Sequence, residues 1–139
     1  MSQLRNSDTR SRFVLRPRGV LLIEDDRHLL EMFREALRLD GFKVRTATDG
    51  LSALFRIEQE LPDVVVLDLH LPDVSGVDIV HDLVARENLA AVPVIVVTGT
   101  EHGDGLPVFE VLRKPITADQ LVAVVRRAAS HRSSHDQSR

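Results

Sequence analysis

The sequence predicts an α/β domain in which helices cover a parallel sheet. Short apolar runs rich in Val, Ile and Leu alternate with stretches whose apolar residues recur at helical spacing, and this pattern is typical of parallel strands joined by right-handed crossovers. The 139 residues, 43% of them hydrophobic and 28% charged, suit a single domain with one core. In folds of this class, ligands bind beyond the carboxyl ends of the strands.

Five strands can be placed in order, because each is a short, bounded run of β-forming residues. The predicted strands are GVLLI at 19–23, KVRTA at 43–47, DVVVL at 63–67, PVIVV at 93–97 and VFEVL at 108–112. The second run alternates apolar and polar residues, which favours a position at the edge of the sheet.

Four helices follow from apolar stripes and from capping residues. The first spans 27–40 and stops at Gly41, the second is capped by Asp49, and the last opens with a capping box of Thr117 and Gln120. The residues predicted to face the core are, in chain order, Leu29, Phe33, Ala36 and Leu37, then Ala53, Leu54, Ile57 and Leu61, then Val80, Leu83 and Val84, and finally Leu121, Val124, Val125 and Ala128.

The charge distribution divides the chain into a basic tail at 1–18, a body at 19–129 and a polar tail at 130–139. Residues 1–18 and 126–139 carry nine of the 18 Lys and Arg but only two of the 21 acids, so these ends sum to +7 and residues 19–125 to −10. An acidic body argues against direct DNA binding. We expect tails that are mostly disordered and no room for an output domain. With no apolar run of spanning length and no signal peptide, we expect no membrane contact and a cytoplasmic location.

Residues able to do chemistry follow four of the five predicted strands. They are Glu24, Asp25 and Asp26 after the first strand, Asp68 after the third, Thr98 after the fourth and Lys114 after the fifth. Carboxylates converging on one edge repel each other unless a cation neutralises them. An oxygen-rich cluster without Cys suits a hard cation, and Mg²⁺ is the usual ion where phosphate chemistry follows.

The segments LLIEDD, VVVLDLHLPDVSG, VIVVTG and LRKP resemble, in this order, the four signatures of two-component response regulator receiver domains. The resemblance covers residues 19–129. It implies a flavodoxin-like fold, with a doubly wound five-stranded parallel sheet in the order 2-1-3-4-5. It also implies a signalling domain whose activity is to accept a phosphoryl group.

Residue by residue, the resemblance makes Asp68 the phosphoacceptor for a sensor histidine kinase or a histidine phosphotransfer protein. Mg²⁺ would be bound by Glu24, Asp25 and Asp68 and by the backbone carbonyl of His70. Lys114 and Thr98 would complete the catalytic set, the lysine by offsetting charge during transfer and the threonine by hydrogen bonding to the phosphoryl group afterwards. Such a domain is not an enzyme acting on other substrates, although it assists its own phosphorylation and dephosphorylation.

Signalling would proceed by docking on a downstream protein or by phosphorelay, and a homodimer is a further option. The alternative is a receiver-like binding module that is not phosphorylated. An aspartate-based phosphohydrolase is disfavoured, because it would require a second Asp where this chain has His70. Asp26 has a simpler interpretation as a helix cap. Metal binding by His70, His81 and His102 is disfavoured, because no ligand-like spacing links them.

The sequence departs from the family between Thr98 and Lys114, where the family usually has a longer segment that forms its fourth helix. Apart from the fifth strand, this segment leaves nine residues, from Gly99 to Pro107, with three glycines and one proline. A parallel crossover ordinarily needs about ten to twelve residues or more. We therefore predict that the family's fourth helix is missing or reduced to a single turn. A second departure is Val111, which stands where the family has its aromatic switch residue. The resemblance also predicts a cis Lys114–Pro115 peptide bond.

Overall fold

The structure is a computed structural model that describes residues 17–89, 91–99 and 103–137. Its centre is a five-stranded parallel sheet in the order β2-β1-β3-β4-β5, as predicted. The strands are β1 Gly19–Ile23, β2 Lys43–Ala47, β3 Val64–Asp68, β4 Val94–Thr98 and β5 Glu110–Arg113. The alternating strand β2 lies at the edge of the sheet, and β5 forms the other edge.

Four α-helices cover the sheet, and most begin where the sequence indicated. They are α1 Arg27–Leu39, α2 Gly50–Gln59, α3 Gly76–Ala85 and α4 Ala118–Gln137, with a short 3₁₀ turn at Glu87–Leu89. Asp49 caps α2, since its side chain accepts the N–H of Ser52. The capping box is also confirmed: Thr117 N–H donates to the Gln120 side chain at 2.7 Å, and Gln120 N–H donates to Thr117 Oγ1 at 3.1 Å.

The core has two layers, one on each face of the sheet. Helices α1 and α4 cover one face, packing residues such as Phe33 and Leu121 against β1, β3 and β4. Helices α2 and α3 cover the other face, with Ala53 and Leu83 among the buried side chains. Because helices lie on both faces, the central strands β1, β3 and β4 are buried on both sides, which explains their near-continuous apolar sequence.

Two residues predicted to face the core are exposed instead. Leu61 lies beyond the end of α2 and is 40% exposed, and Val84 is 41% exposed on α3. The buried apolar side chains that the periodicity missed are Leu30 on α1, Ile79 on α3, and Val122 and Ala129 on α4. On α1 and α3 the buried face is therefore turned slightly from the one inferred, whereas Leu61 is exposed because α2 ends before it.

The connection from β4 to β5 contains no helix in its described residues, Gly99 and 103–109, and this confirms the predicted loss of the family's fourth helix. Gly103 is buried here with φ +111°, a conformation that favours glycine. Leu106 and Val108 pack, partly buried, against the core layer of α2 and α3. An ion pair between Arg113 and Asp104 at 2.6 Å links the connection to β5.

The connection itself covers part of the apolar surface beside β4 and β5, through Leu106 and Val108. Among the described residues, the large apolar side chains with most exposure lie elsewhere. They are Met32, Leu39, Leu51, Phe55, Leu61 and Val84.

The last helix extends beyond residue 129, where the sequence predicted the end of the domain. The backbone of α4 remains helical to Gln137, past residue 129. The basic N-terminal segment, apart from residues 17 and 18, lies outside the described residues, so the expectation of disorder there stays a prediction. In the described ranges, no helix is both long enough and apolar enough to cross a membrane.

Candidate functional site

Three carboxylates meet at the carboxyl edge of the sheet. Glu24 and Asp25 directly follow β1, and Asp68 is the last residue of the neighbouring strand β3. Each offers an oxygen within 4.8 Å of the others. Glu24 and Asp68 are buried, whereas Asp25 is exposed. Because neighbouring parallel strands end at the same edge, residues 43 positions apart in sequence form one acidic cluster.

Lys114 supplies the positive charge that this cluster needs. Its Nζ lies 3.0 Å from Glu24 Oε1 and 3.2 Å from Asp68 Oδ2, so one ammonium group contacts both buried carboxylates. The backbone N–H of Lys114 donates to the carbonyl of Thr98 at 2.8 Å, which fixes the end of β5 to the end of β4. The Lys114–Pro115 peptide bond is cis, as predicted.

The electrostatics of the site follow from burial and from the short distances between the acids. Burial, together with the hydrogen bond and the charge of Asp68, raises the pKa of Glu24 to about 7, although Lys114 opposes this shift. Burial lowers the pKa of Lys114, but the contacts with Glu24 and Asp68 outweigh burial and raise it overall. The lysine therefore stays charged, and Glu24 takes up a proton near neutral pH.

Two further predicted residues lie at the same edge. Thr98 is the last residue of β4 and is fully buried. His70 is exposed, and its backbone N–H donates to Asp68 Oδ1 at 2.9 Å. Asp68 is thus held through both carboxylate oxygens, one by His70 and one by Lys114.

Some acidic and histidine residues lie outside the cluster. Asp26 caps α1, as its simpler interpretation predicted, because its side chain accepts the N–H groups of His28 and Leu29. His81 is exposed on α3, and His102 lies outside the described residues. Within the part of the chain that is described, the only His, Cys, Asp or Glu group that could hold a metal is formed by the three carboxylates.

One residue with a clear role in the site region was missed by sequence analysis. Asp73, in the loop after β3, accepts hydrogen bonds from the backbone of α2. Its only local signal is its place directly after Pro72, since Pro and Asp are both frequent in turns and Asp side chains often accept backbone N–H groups there. That signal predicts a turn, but it does not identify the distant partner.

The donor atoms of the cluster suit Mg²⁺. All three side chains are carboxylates, two of them are buried, and hard oxygen ligands are those that Mg²⁺ prefers. A divalent cation would also neutralise acids that a single lysine leaves in excess. The three carboxylates therefore have the donor chemistry of a divalent-cation site.

Fold and site together define a flavodoxin-like α/β domain with an acidic site and a lysine at the carboxyl edge of its sheet. The family model for the response regulator receiver domain matches residues 20–126, and the chain belongs to this family. The family named by the resemblance is therefore confirmed.

Curated relatives from Mycobacterium tuberculosis agree with this assignment. The sensory transduction protein RegX3 is 36% identical over 126 residues, covering 86% of this chain and 54% of the relative. The transcriptional regulatory protein PrrA is 38% identical over 121 residues, covering 83% and 51%. The chain thus spans about half the length of these relatives.

Solved receiver structures have the same fold. A CheY-like receiver domain protein from Methanospirillum hungatei JF-1 is similar with a TM-score of 0.78 at 20% identity, covering 86% of this chain and 98% of that one. The receiver domain of sensor histidine kinase PA1611 from Pseudomonas aeruginosa PAO1 has a TM-score of 0.75 at 26% identity, covering 82% and 98%. That structure has a magnesium ion coordinated in its active-site cleft.

Proposed function

We propose that this receiver domain accepts a phosphoryl group on Asp68 from a sensor histidine kinase or a histidine phosphotransfer protein. The observation that carries the proposal is the contact of one lysine, Lys114, with both Asp68 and Glu24 inside a cluster of three carboxylates. In an ion pair that only stabilises the fold, one carboxylate would be enough to balance the charge of Lys114. The excess of acids around a buried carboxylate indicates a site that binds a cation and reacts with an anionic group.

Asp68 has the geometry of a nucleophile whose orientation is fixed. Its two oxygens accept hydrogen bonds from His70 N–H and from Lys114, so the side chain is held before any donor arrives. In the transfer, an Asp68 oxygen forms a bond to phosphorus while the bond from phosphorus to the donor's histidine nitrogen breaks, and the electron pair remains on that nitrogen. Lys114 neutralises negative charge on the phosphoryl oxygens as they approach.

Glu24, Asp25 and Asp68, with the backbone carbonyl of His70, would hold Mg²⁺. When bound, Mg²⁺ supplies a second positive charge to the oxygens of the phosphoryl group. The magnesium ion in the cleft of the PA1611 receiver domain supports this assignment. Glu24 would have to lose its proton to bind the metal, so its raised pKa links metal affinity to pH.

Thr98 would act after transfer. Its hydroxyl lies on a fully buried side chain at the end of β4, and it would donate a hydrogen bond to the phosphoryl group. The chain would then act as a phosphoacceptor that assists its own modification, and not as an enzyme with turnover on other substrates. His70, in place of the second acid that a phosphohydrolase would use, favours this interpretation.

The phosphorylated domain would signal by docking on a downstream protein or by passing the phosphoryl group on. A homodimer and a cytoplasmic location are consistent with this proposal. The acidic body, residues 19–125, still predicts that this part of the chain does not bind DNA directly. Phosphotransfer profiling against the histidine kinases of the source organism would identify the donor.

The proposal is tested by intact-mass measurement after incubation with acetyl phosphate and Mg²⁺. We expect a single added phosphoryl group in the wild type, none in Asp68→Asn, and none when EDTA removes the metal. Asp26→Asn is the matched control, because Asn also caps helices and Asp26 lies next to the cluster. Modification of Asp68→Asn would refute the site. A wild type that neither acetyl phosphate nor any phosphorylated kinase modifies would favour the binding module.

A further inference from the structure

The loop that joins β3 to α3, residues 69–75, is closed tightly at its base. It directly follows Asp68 and contains His70. Gly76 N–H donates to the carbonyl of Leu69 at 3.1 Å, and a Cβ placed on Gly76 would lie 2.5 Å from Leu69 Cα. The two ends of this loop therefore touch, and glycine is required at the point of contact. We call residues 69–75 the site loop.

The tip of the site loop is attached to a different element. The carboxylate of Asp73 accepts the N–H of Gly50 at 2.8 Å through Oδ1 and the N–H of Leu51 at 3.1 Å through Oδ2. These are the first two residues of α2, whose N–H groups have no partner within the helix. Helix α2 is therefore capped by two carboxylates, Asp49 from its own chain segment and Asp73 from 23 positions beyond Gly50.

Packing and charge strengthen this attachment. A Cβ on Gly50 would lie only 2.7 Å from Val74 Cβ, so the start of α2 and the site loop are in close contact. The N–H of Val74 also donates to Asp73 Oδ1 at 2.8 Å. The pKa of Asp73 is lowered, chiefly by the hydrogen bond from Gly50, so the charged form is the one that these contacts stabilise.

We propose that Asp73 is a positioning residue for the phosphoacceptor site, and that it acts by holding the site loop against α2. The residue positioned is His70, whose N–H fixes Asp68 Oδ1 and whose carbonyl belongs to the proposed Mg²⁺ ligands. The effect of Asp73 on Mg²⁺ binding rests on the proposed function, whereas its effect on the order of the site loop does not. If the contact of Asp73 with α2 favours Mg²⁺ binding, then Mg²⁺ binding favours that contact by the same free energy, because coupling between two sites is reciprocal. Bound Mg²⁺ should therefore also stabilise the start of α2.

Amide hydrogen exchange of the full chain, read residue by residue by NMR, tests the positioning directly. In Asp73→Ala we expect exchange of the Gly50 and Leu51 amides to speed up about tenfold or more, because both lose a charge-assisted acceptor. Exchange of the His70 amide should speed up as well, because the released site loop no longer holds this N–H against Asp68. Asp73→Asn should have a smaller effect, since its amide oxygen still accepts from Gly50 although its NH₂ cannot accept from Leu51. Asp78→Ala is the matched control, an exposed acid in the first turn of α3.

The site is tested by titrating the same proteins with Mg²⁺. We expect Asp73→Ala to raise the dissociation constant for Mg²⁺ about tenfold, as is usual when a residue that orients a ligand is removed, with Asp78→Ala within twofold of the wild type. Exchange of the His70 amide that does not change in Asp73→Ala would overturn the proposal, whatever the metal result. Faster exchange at Gly50 and Leu51 alone would mean that Asp73 only caps the helix, and this also overturns it. A wild type that binds no Mg²⁺ would refute the proposed function and leave the exchange result to decide the positioning of the loop.

Discussion

The ammonium group of Lys114 lies 3.2 Å from Oδ2 of Asp68, although 46 positions separate the two residues. The contact is possible because β5 and β3 both end at the carboxyl edge of the sheet, with β4 between them. It places a permanent positive charge against the carboxylate that we propose as phosphoacceptor. The same lysine also contacts Glu24. In the proposed function it would therefore both orient the phosphoacceptor and compete with Mg²⁺ for Glu24.

The first prediction separates these two effects of Lys114. Lys114→Ala should slow phosphorylation by acetyl phosphate about a hundredfold, because it removes a donor aimed at the transferring group. Its affinity for Mg²⁺ should not fall, since Glu24 and Asp68 lose a competing cation. Both quantities are measured by Mg²⁺ titration and by single-turnover phosphorylation. Lys43→Ala, which removes an exposed lysine paired with Glu60, is the control. A loss of Mg²⁺ affinity would contradict the competition.

The second prediction concerns pH. Folding raises the pKa of Glu24 from 4.5 to about 7, so the folded state binds this proton more tightly. The free energy of unfolding should therefore fall as pH rises between these values, because the unfolded chain releases the proton first. Glu24→Gln should flatten this part of the profile. Mg²⁺, which needs the deprotonated carboxylate, should raise the melting temperature more at pH 8 than at pH 6.

Thermal melts of both proteins from pH 4 to 9, with and without Mg²⁺, measure this effect. The comparison with Glu24→Gln removes the contribution of the other acids. Identical profiles for the two proteins would show that Glu24 does not carry the pH dependence.

A third prediction uses two glycines as a matched pair. Gly76→Ala should destabilise the protein by about 1–3 kcal/mol, because the added Cβ would lie 2.5 Å from Leu69 Cα and 2.9 Å from the Leu69 carbonyl oxygen. Gly19→Ala adds the same methyl group where the nearest atom is 3.7 Å away, so it should be neutral or stabilise by up to about 1 kcal/mol. Urea unfolding measures both, and equal effects would contradict the close contact at the base of the site loop.

The fourth prediction concerns the contact between α1 and α4. The Arg126 side chain donates two hydrogen bonds to Asp40, the residue that ends α1, and this lowers the pKa of Asp40. Asp40→Asn and Arg126→Gln should each lower the melting temperature slightly at pH 7, and the double variant should lower it no further. Because the folded-state pKa is lowered, the difference from the wild type should disappear as Asp40 is protonated at low pH. Additive effects would indicate that the two residues act independently.

The site was predictable from the sequence because its residues follow strands. In a parallel sheet the carboxyl ends of neighbouring strands share one edge, so polar residues after separate apolar runs are brought together whatever their separation in sequence. Two strands that were predicted one residue too early, at 63–67 and 93–97, show the limit of this reasoning, since β3 and β4 each end one residue later. Asp68 and Thr98 have polar side chains, but their backbones still belong to the sheet. Asp68 at the end of β3 pairs with Val97, and Thr98 at the end of β4 pairs with Arg113.

The features that the sequence did not predict depend on contacts between distant segments. Leu61 and Val84 fit the helical period but are exposed. The period predicts which residues share one face of a helix, but it does not predict where the helix ends or which residues near its end remain covered. The bond of Asp73 to α2 joins residues 23 positions apart and has no periodic signature. Conversely, the missing helix between β4 and β5 was predictable, because chain length alone limits what nine residues can form.

The positions of β2 and β5 at the two margins of the sheet also affect how the protein behaves at high concentration. A margin strand has unpaired backbone groups that can pair with another molecule, and charged side chains oppose this pairing. The central strands are almost wholly apolar, whereas β2 carries Lys43 and Arg45 and β5 begins with Glu110 and ends with Arg113. If the edge strand of another molecule paired with β2 or β5, like charges would be brought together or ion pairs would lose their water. The sequence thus keeps its most aggregation-prone segments inside and its charges where the sheet could extend.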